Sequence, residues 1–249
     1  MKKTILSVAV AAMMLLTTSV VMAQKADDSE KLNVSLSLNH DAFFGFNPSL
    51  AVAYPVSSKA DLTAYGILWG AGTARAWGNW TEFGLGVNFK AGNFSINPQL
   101  GFTSGSLLSS GTANDGIIGD GIVPNLTVNY DNSKFLGQLY AGYYAALTDN
   151  TDAPTESTLN YTHYWLNAGY KAKSWLAFGA HFEHLYLAGG KINGGGTQVK
   201  TDYYQWFGPF VQISKKNAGM RFSLGKDIDA GAGTSSNSDF YKMSFFVNL

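Results

Sequence analysis

Glu82, His181, Glu183, Lys200, Asp202, Arg221 and Lys242 are the side chains of this sequence whose types and spacing suit chemistry. Four of them flank the Gly-rich stretch from Gly189 to Gly196. If that stretch joins two antiparallel strands symmetrically about Ile192, Glu183 stands opposite Asp202, Lys200 lies on the diagonal and His181 faces Tyr204. Two carboxylates so close repel unless a cation or proton intervenes. Such a set suits three roles. It can be charge pairs filling a wall, or a constriction that selects solutes by charge. With His163 beside His181 it can also be two imidazoles and a carboxylate around a metal ion. A one-residue slip in register would turn His163 to the opposite face.

The elements that position these residues are strands. The last nine positions show it best: Tyr241, Met243, Phe245, Val247 and Leu249 alternate with Lys242, Ser244, Phe246 and Asn248. A period of two puts each set on one face of a strand. Twelve strand-like segments follow one another, near 32–39, 48–56, 61–69, 79–90, 93–103, 121–130, 134–146, 158–170, 174–187, 198–214, 218–226 and 239–249. Phe83, Leu85, Val87 and Phe89 alternate with Glu82, Gly84, Gly86 and Asn88. Leu176, Phe178, Ala180 and Phe182 alternate with Ala177, Gly179, His181 and Glu183. Tyr203, Phe207, Val211 and Ile213 alternate with Asp202, Tyr204, Trp206 and Gln212.

Connections alternate between tight and long. Tight turns are expected around Ser58-Lys59, Ala91-Gly92, Asn132-Ser133, Ala172-Lys173 and Lys216-Asn217. Long polar loops are expected near 40–47, 70–78, 104–120, 147–157, 188–197 and 227–238. This predicts a closed antiparallel up-and-down transmembrane β-barrel of about twelve strands, with short periplasmic turns and long external loops. Closure removes the exposed edges of an open sheet. Lysines (Lys59, Lys90, Lys134, Lys171, Lys173, Lys215, Lys216) crowd the tight turns. Carboxylates (Asp41, Asp115, Asp120, Asp149, Asp152, Glu156, Asp227, Asp229, Asp239) crowd the loops, as solvated loop chemistry or as an acidic mouth. Trp69, Trp77, Trp80 and Trp206 fall near strand ends, where interfacial aromatic belts sit, although Trp80 and Trp206 also suit the lumen.

The amino terminus agrees. Lys2-Lys3, an apolar run from Thr4 to Val21, and Val21-Met22-Ala23 read as a signal peptide over 1–23, followed by a short periplasmic tail at 24–31 and the barrel at 32–249. No other long apolar run follows. Removing Lys2 and Lys3 leaves a slight acidic excess, which offers nucleic acid no basic field. Charged residues are 14% of the chain, aromatics 14%, and mean hydropathy is near zero, which suits a barrel greasy outside and wet inside. Gly66, Gly84, Gly86, Gly137, Ala177 and Gly179 are read as small inward residues that leave a narrow water-filled path.

The carboxyl-terminal alternation resembles the assembly signal of bacterial outer-membrane barrels. Gly78-Asn79-Trp80-Thr81-Glu82-Phe83-Gly84, Ile96-Asn97-Pro98-Gln99-Leu100-Gly101-Phe102 and the stretch from Gly119 to Thr127 resemble an uncharacterised family of small outer-membrane barrels. That likeness implies a barrel and supplies no catalytic residues. The architecture is also similar to twelve-stranded nucleoside channels, none of whose motifs is matched. Barrel phospholipases use a His-x-Ser pair, and none of His40, His163, His181 or His184 has Ser two positions on. Glu183, Asp202 and His181 mimic a barrel protease only weakly. The Gly189–Gly196 stretch lacks the spacing of a phosphate loop.

The expectation is therefore a monomeric outer-membrane channel, narrow and porin-like, passing small polar solutes by diffusion. It needs no cofactor, metal or catalytic residue. Its partners are outer-membrane lipid and lipopolysaccharide, the barrel-assembly machinery and the solutes. Selectivity is expected at Glu82, His181, Glu183, Lys200, Asp202, Arg221 and Lys242. The alternatives are a surface-binding or structural barrel, and a lipid- or peptide-hydrolysing barrel.

Overall fold

Alternating greasy and polar residues can satisfy their backbone in a membrane only by pairing every strand on both sides. The computed structural model of the chain does so. It describes residues 32–69, 80–105, 108, 118–147, 157–192, 195–229 and 239–249. The expected signal peptide (1–23) and tail (24–31) lie outside the described residues. The strands are β1 (Asn33–Asp41), β2 (Gly45–Ser57), β3 (Ala60–Trp69), β4 (Trp80–Ala91), β5 (Phe94–Ser104), β6 (Ile118–Asp131), β7 (Phe135–Ala146), β8 (Asn160–Lys173), β9 (Leu176–Gly189), β10 (Lys191–Ile192), β11 (Gly196–Thr197), β12 (Thr201–Lys215), β13 (Ala218–Asp227) and β14 (Asp239–Asn248). Twelve of them form one closed antiparallel barrel, and β10 and β11 make a small separate hairpin. β14 closes on β1, with Leu36 opposite Val247 and Leu38 opposite Phe245.

The period of two holds around the ring. Phe83, Phe178 and Phe245 stand 59%, 51% and 45% exposed on the outer wall. Their sequence neighbours Glu82, Ala177 and Phe246 turn inward. An outer wall this apolar is stable against lipid and not against water. The short connections are Ser58-Lys59, Gly92-Asn93, Asn132–Lys134, Ser174-Trp175 and Lys216-Asn217. They define a turn end of the barrel, and the opposite end is the loop end. At one turn Asn132 Oδ1 accepts from the backbone amides of Lys134 (2.8 Å) and Phe135 (2.7 Å).

Several expectations need correction. The supposed long loop at 40–47 is the three-residue turn Ala42–Phe44, and β2 starts at Gly45, whose φ of 70° suits glycine. Asp41 makes the tight turn: its Oδ1 accepts from the amides of Phe43 (2.9 Å) and Phe44 (2.6 Å). Gly66 and Gly137 face outward, paired with Phe83 and Tyr130. Trp69, Trp80 and Trp206 are not belt residues but buried inside the barrel. Trp77 lies outside the described residues.

Of the described loop carboxylates, Asp239 is exposed and pairs with Lys226, Asp229 accepts from Gln205, and three others are drawn into the fold. Asp41, Asp120 and Asp227 are buried and hold backbone amides, of Phe44, Leu108 and Gln205 respectively. Asp115, Asp149, Asp152 and Glu156 lie outside the described residues.

Candidate functional site

A barrel of twelve strands is too wide for small side chains to fill, so what occupies the lumen is decided by which large residues point in. Toward the loop end they meet across it. Phe44, Trp69, Trp80, Tyr144, Tyr161, Leu185, Leu187, Tyr204, Trp206 and Phe240 form one buried cluster. Trp69 stacks on Trp80 (5.2 Å), Tyr204 on Trp206 (3.9 Å) and Trp206 on Phe240 (5.0 Å). Phe44, carried in by the Asp41 turn, reaches Trp69 (4.6 Å) and His163 (5.6 Å). Leu108, from the segment between β5 and β6, is fully buried in the same cluster. These groups make a septum across the lumen.

Two fully buried glutamates are built into the septum. Glu183 on β9 is ringed by four donors: His163 Nε2 to Oε1 (2.8 Å), Tyr204 hydroxyl to Oε1 (3.0 Å), His181 Nε2 to Oε2 (3.0 Å) and Lys242 Nζ to Oε2 (2.6 Å). A buried carboxylate needs such pairing to remain charged. Glu82 on β4 accepts from three neutral donors, the Tyr65 hydroxyl (2.6 Å), Trp69 Nε1 (3.1 Å) and the Tyr144 hydroxyl (3.2 Å). The inward glycines beside them are seats for rings. A Cβ on Gly84 would lie 2.2 Å from the Tyr65 ring, and one on Gly142 would lie 2.5 Å from the Tyr140 hydroxyl.

Below the septum the lumen opens into a cavity of about 810 Å³ that runs to the turn end. Most of the residues that line it carry amides or hydroxyls, for example Asn97, Gln99, Thr127, Gln138 and Asn167, with apolar groups such as Ile67 and Phe246 between them. Neutral polar side chains suit solutes that exchange hydrogen bonds with water as they move. Tyr140 and Trp165 stack at 4.0 Å beside the septum. Arg221 and Lys242 supply positive charge to the wall. At the rim, Asp61 pairs with Lys90 and Asp131 with Lys171, each at 2.6 Å.

The predicted site residues thus separate into two groups. Glu82, His181, Glu183, Arg221 and Lys242 are luminal. Asp202 and Lys200 are not. β12 carries a bulge at Tyr203, so Asp202 pairs with Tyr186 while Tyr204 pairs with Leu185. The extra residue turns Asp202 to the outer wall, where its Oδ1 accepts from His184 Nε2 at 2.7 Å. The other ring nitrogen of His184 meets the Tyr164 hydroxyl at 3.0 Å. Lys200 lies over the Tyr186 ring, 4.5 Å from its centroid, on the same outer face. The carboxylate pair of Glu183 and Asp202 therefore does not exist, and Glu183 stands opposite Trp206. His181 stands opposite Gly208, not Tyr204. His163 does face inward, and it meets His181 through their shared Glu183. Among the described residues no three His, Asp or Glu side chains are arranged to hold a metal ion.

The aromatic half of the site escaped sequence reading. Phe43 and Phe44 looked like loop residues. The available signal was Asp41 followed by Gly45, a side-chain-capped turn too short for a loop.

The fold, the lipid-facing wall and the luminal septum can be set beside known proteins. Residues 1–249 match the description "Family of unknown function (DUF6733)". The chain belongs to that family. Comparison with curated protein sequences finds no match. In fold the chain is similar to the COG4313 outer membrane channel from Pseudomonas putida F1, with a TM-score of 0.57 at 13% identity over 90% of this chain and 99% of that one. It is also similar to the NanC porin, with a TM-score of 0.50 at 9% identity over 87% of this chain and 100% of that one. These likenesses are of fold. Together with the apolar outer wall they make the protein an outer-membrane β-barrel of porin-like architecture.

Proposed function

We propose that the barrel is a narrow channel for passive diffusion of small polar solutes, with the aromatic septum as its constriction. One observation carries this reading: an amide- and hydroxyl-lined cavity of about 810 Å³ occupies the turn-end half of the lumen. A purely structural barrel has no use for a wetted interior of that size, and small barrels fill theirs with side chains. The turn end is assigned to the periplasm, with the loops outside. The channel works without a cofactor and without a catalytic step. Assembly proceeds through the barrel-assembly machinery into a lipopolysaccharide-containing membrane, with β14 as the strand that the machinery engages.

The septum favours a second reading. Rings from opposite walls are in contact, as Phe44 is with His163. A barrel held shut in this way would act through its loops, as a surface-binding or structural protein. Single-channel recording of the purified protein in planar bilayers separates the two. Steady conductance, with permeability falling steeply as solute size rises, is the expected result. Persistent silence across voltages would favour the second reading.

A further inference from the structure

The inner faces of β13 and β14 carry a square of four side chains beside the cavity. Arg221 pairs with Ser244, and Ser223 pairs with Lys242, so cations and hydroxyls occupy opposite diagonals. Diagonal positions on such a pair lie roughly 7–8 Å apart at the backbone, near enough for two long cationic side chains to converge on one oxyanion. All four residues line the cavity.

The two cations differ in their partners. Lys242 is matched by Glu183 at 2.6 Å. Arg221 Nε and Nη2 donate to the neutral Gln212 Oε1, at 3.0 and 2.7 Å, and the guanidinium lies 4.9 Å from the centroid of the Phe210 ring. Among the described residues no carboxylate comes within ion-pair distance of it. Gln212 and Phe210 orient the guanidinium and leave its charge unmatched. A guanidinium has five N–H donors, and among the described residues two are used. An oriented arginine with spare donors is the preferred partner for a planar carboxylate.

We propose that Arg221, with Ser223, Lys242 and Ser244, binds the carboxylate of a small hydroxylated solute in this cavity. The amides of Gln138 and Asn167, across the cavity on β7 and β8 and bonded to each other there, then exchange hydrogen bonds with its hydroxyls. The inference deepens the diffusion-channel reading by naming the class of solute, and it rests on that reading for its physiological meaning. The simpler account, in which Arg221 only packs the wall, makes the opposite prediction for binding.

The test uses the purified mature barrel in detergent and two probes of similar size, gluconate and the uncharged sorbitol, titrated by calorimetry. Gluconate should bind at least tenfold more tightly. Arg221→Gln should weaken gluconate binding roughly tenfold or more, the loss of a charge-assisted pair, and leave sorbitol unchanged. Arg221→Lys should keep an intermediate affinity. Asp202→Asn, on the outer wall, should change neither. Heat-modifiable migration on gels reports whether each variant is folded. Equal affinity for the two probes, or wild-type gluconate binding by Arg221→Gln, would overturn the site. If Arg221→Gln does not fold, the probe comparison on wild type and Arg221→Lys still decides. Bilayer conductance is read separately. Gluconate binding by a silent barrel keeps the site and removes the channel; conductance without gluconate preference keeps the channel and removes the site.

Discussion

Lys242 on β14 reaches Glu183 on β9 inside the barrel, Nζ to Oε2 at 2.6 Å, although β13 and β12 lie between the two strands in the wall. The ammonium also lies 5.1 Å from the centroid of the Trp165 ring on β8. One side chain thus ties the β13–β14 wall to the β8–β9 wall at the level of the septum. Removing one partner of a buried pair leaves the other charge uncompensated, which costs more than the pair itself contributes.

Lys242→Met should therefore destabilise the barrel by about 3 kcal/mol, somewhat offset by the histidines around Glu183. Lys242→Met with Glu183→Gln should recover most of that loss, because the two changes are coupled. Urea midpoints in detergent, read by the heat-modifiable gel shift, check both. Additive losses would mean that Lys242 and Glu183 do not act as a pair.

The septum should open when its inserted turn is trimmed. Phe44→Ala removes the ring that contacts Trp69 and His163. Single-channel conductance should rise severalfold, while the folded fraction stays near wild type because Asp41 still caps the turn. Unchanged conductance would place the limiting constriction elsewhere.

Charge selectivity should depend on Arg221 and not on Asp202. In a salt gradient, Arg221→Gln should shift the reversal potential toward cations. Asp202→Asn should leave it unmoved, since that carboxylate bonds His184 on the outer wall. A shift caused by Asp202→Asn would contradict the bulged register of β12.

The closing strand should be sensitive to charge on its lipid face. Phe245→Asp with Leu249→Asp places carboxylates on the outer wall, at roughly 1–3 kcal/mol for the deeper site, depending on depth. The amount of folded protein in outer-membrane fractions should fall sharply. Normal assembly of this double variant would argue against the lipid-facing assignment of β14.

Orientation can be read by labelling. A cysteine at Val199, 75% exposed at the loop end, should react with a membrane-impermeant reagent on intact cells. A cysteine at Lys216, in a turn at the opposite end, should not. The reverse pattern would invert the barrel in the membrane.

The amino-acid sequence by itself determined the barrel. A side-chain period of two is a local property, and lipid outside with polar groups inside imposes it strand after strand, as at Phe83 to Phe89 and Tyr241 to Leu249. It also determined that Glu82, His181, Glu183, Arg221 and Lys242 point inward. The tertiary structure alone decided which of them meet. Glu183 and Lys242 are 59 positions apart and touch only because the ring closes, which no local pattern encodes. The fate of Asp202 was decided by one extra residue at Tyr203, because a single bulge reverses every side chain on one side of it. The septum likewise depended on a turn: Phe44 enters the lumen because Asp41 holds two backbone amides, and the spacing of apolar residues carries no record of that.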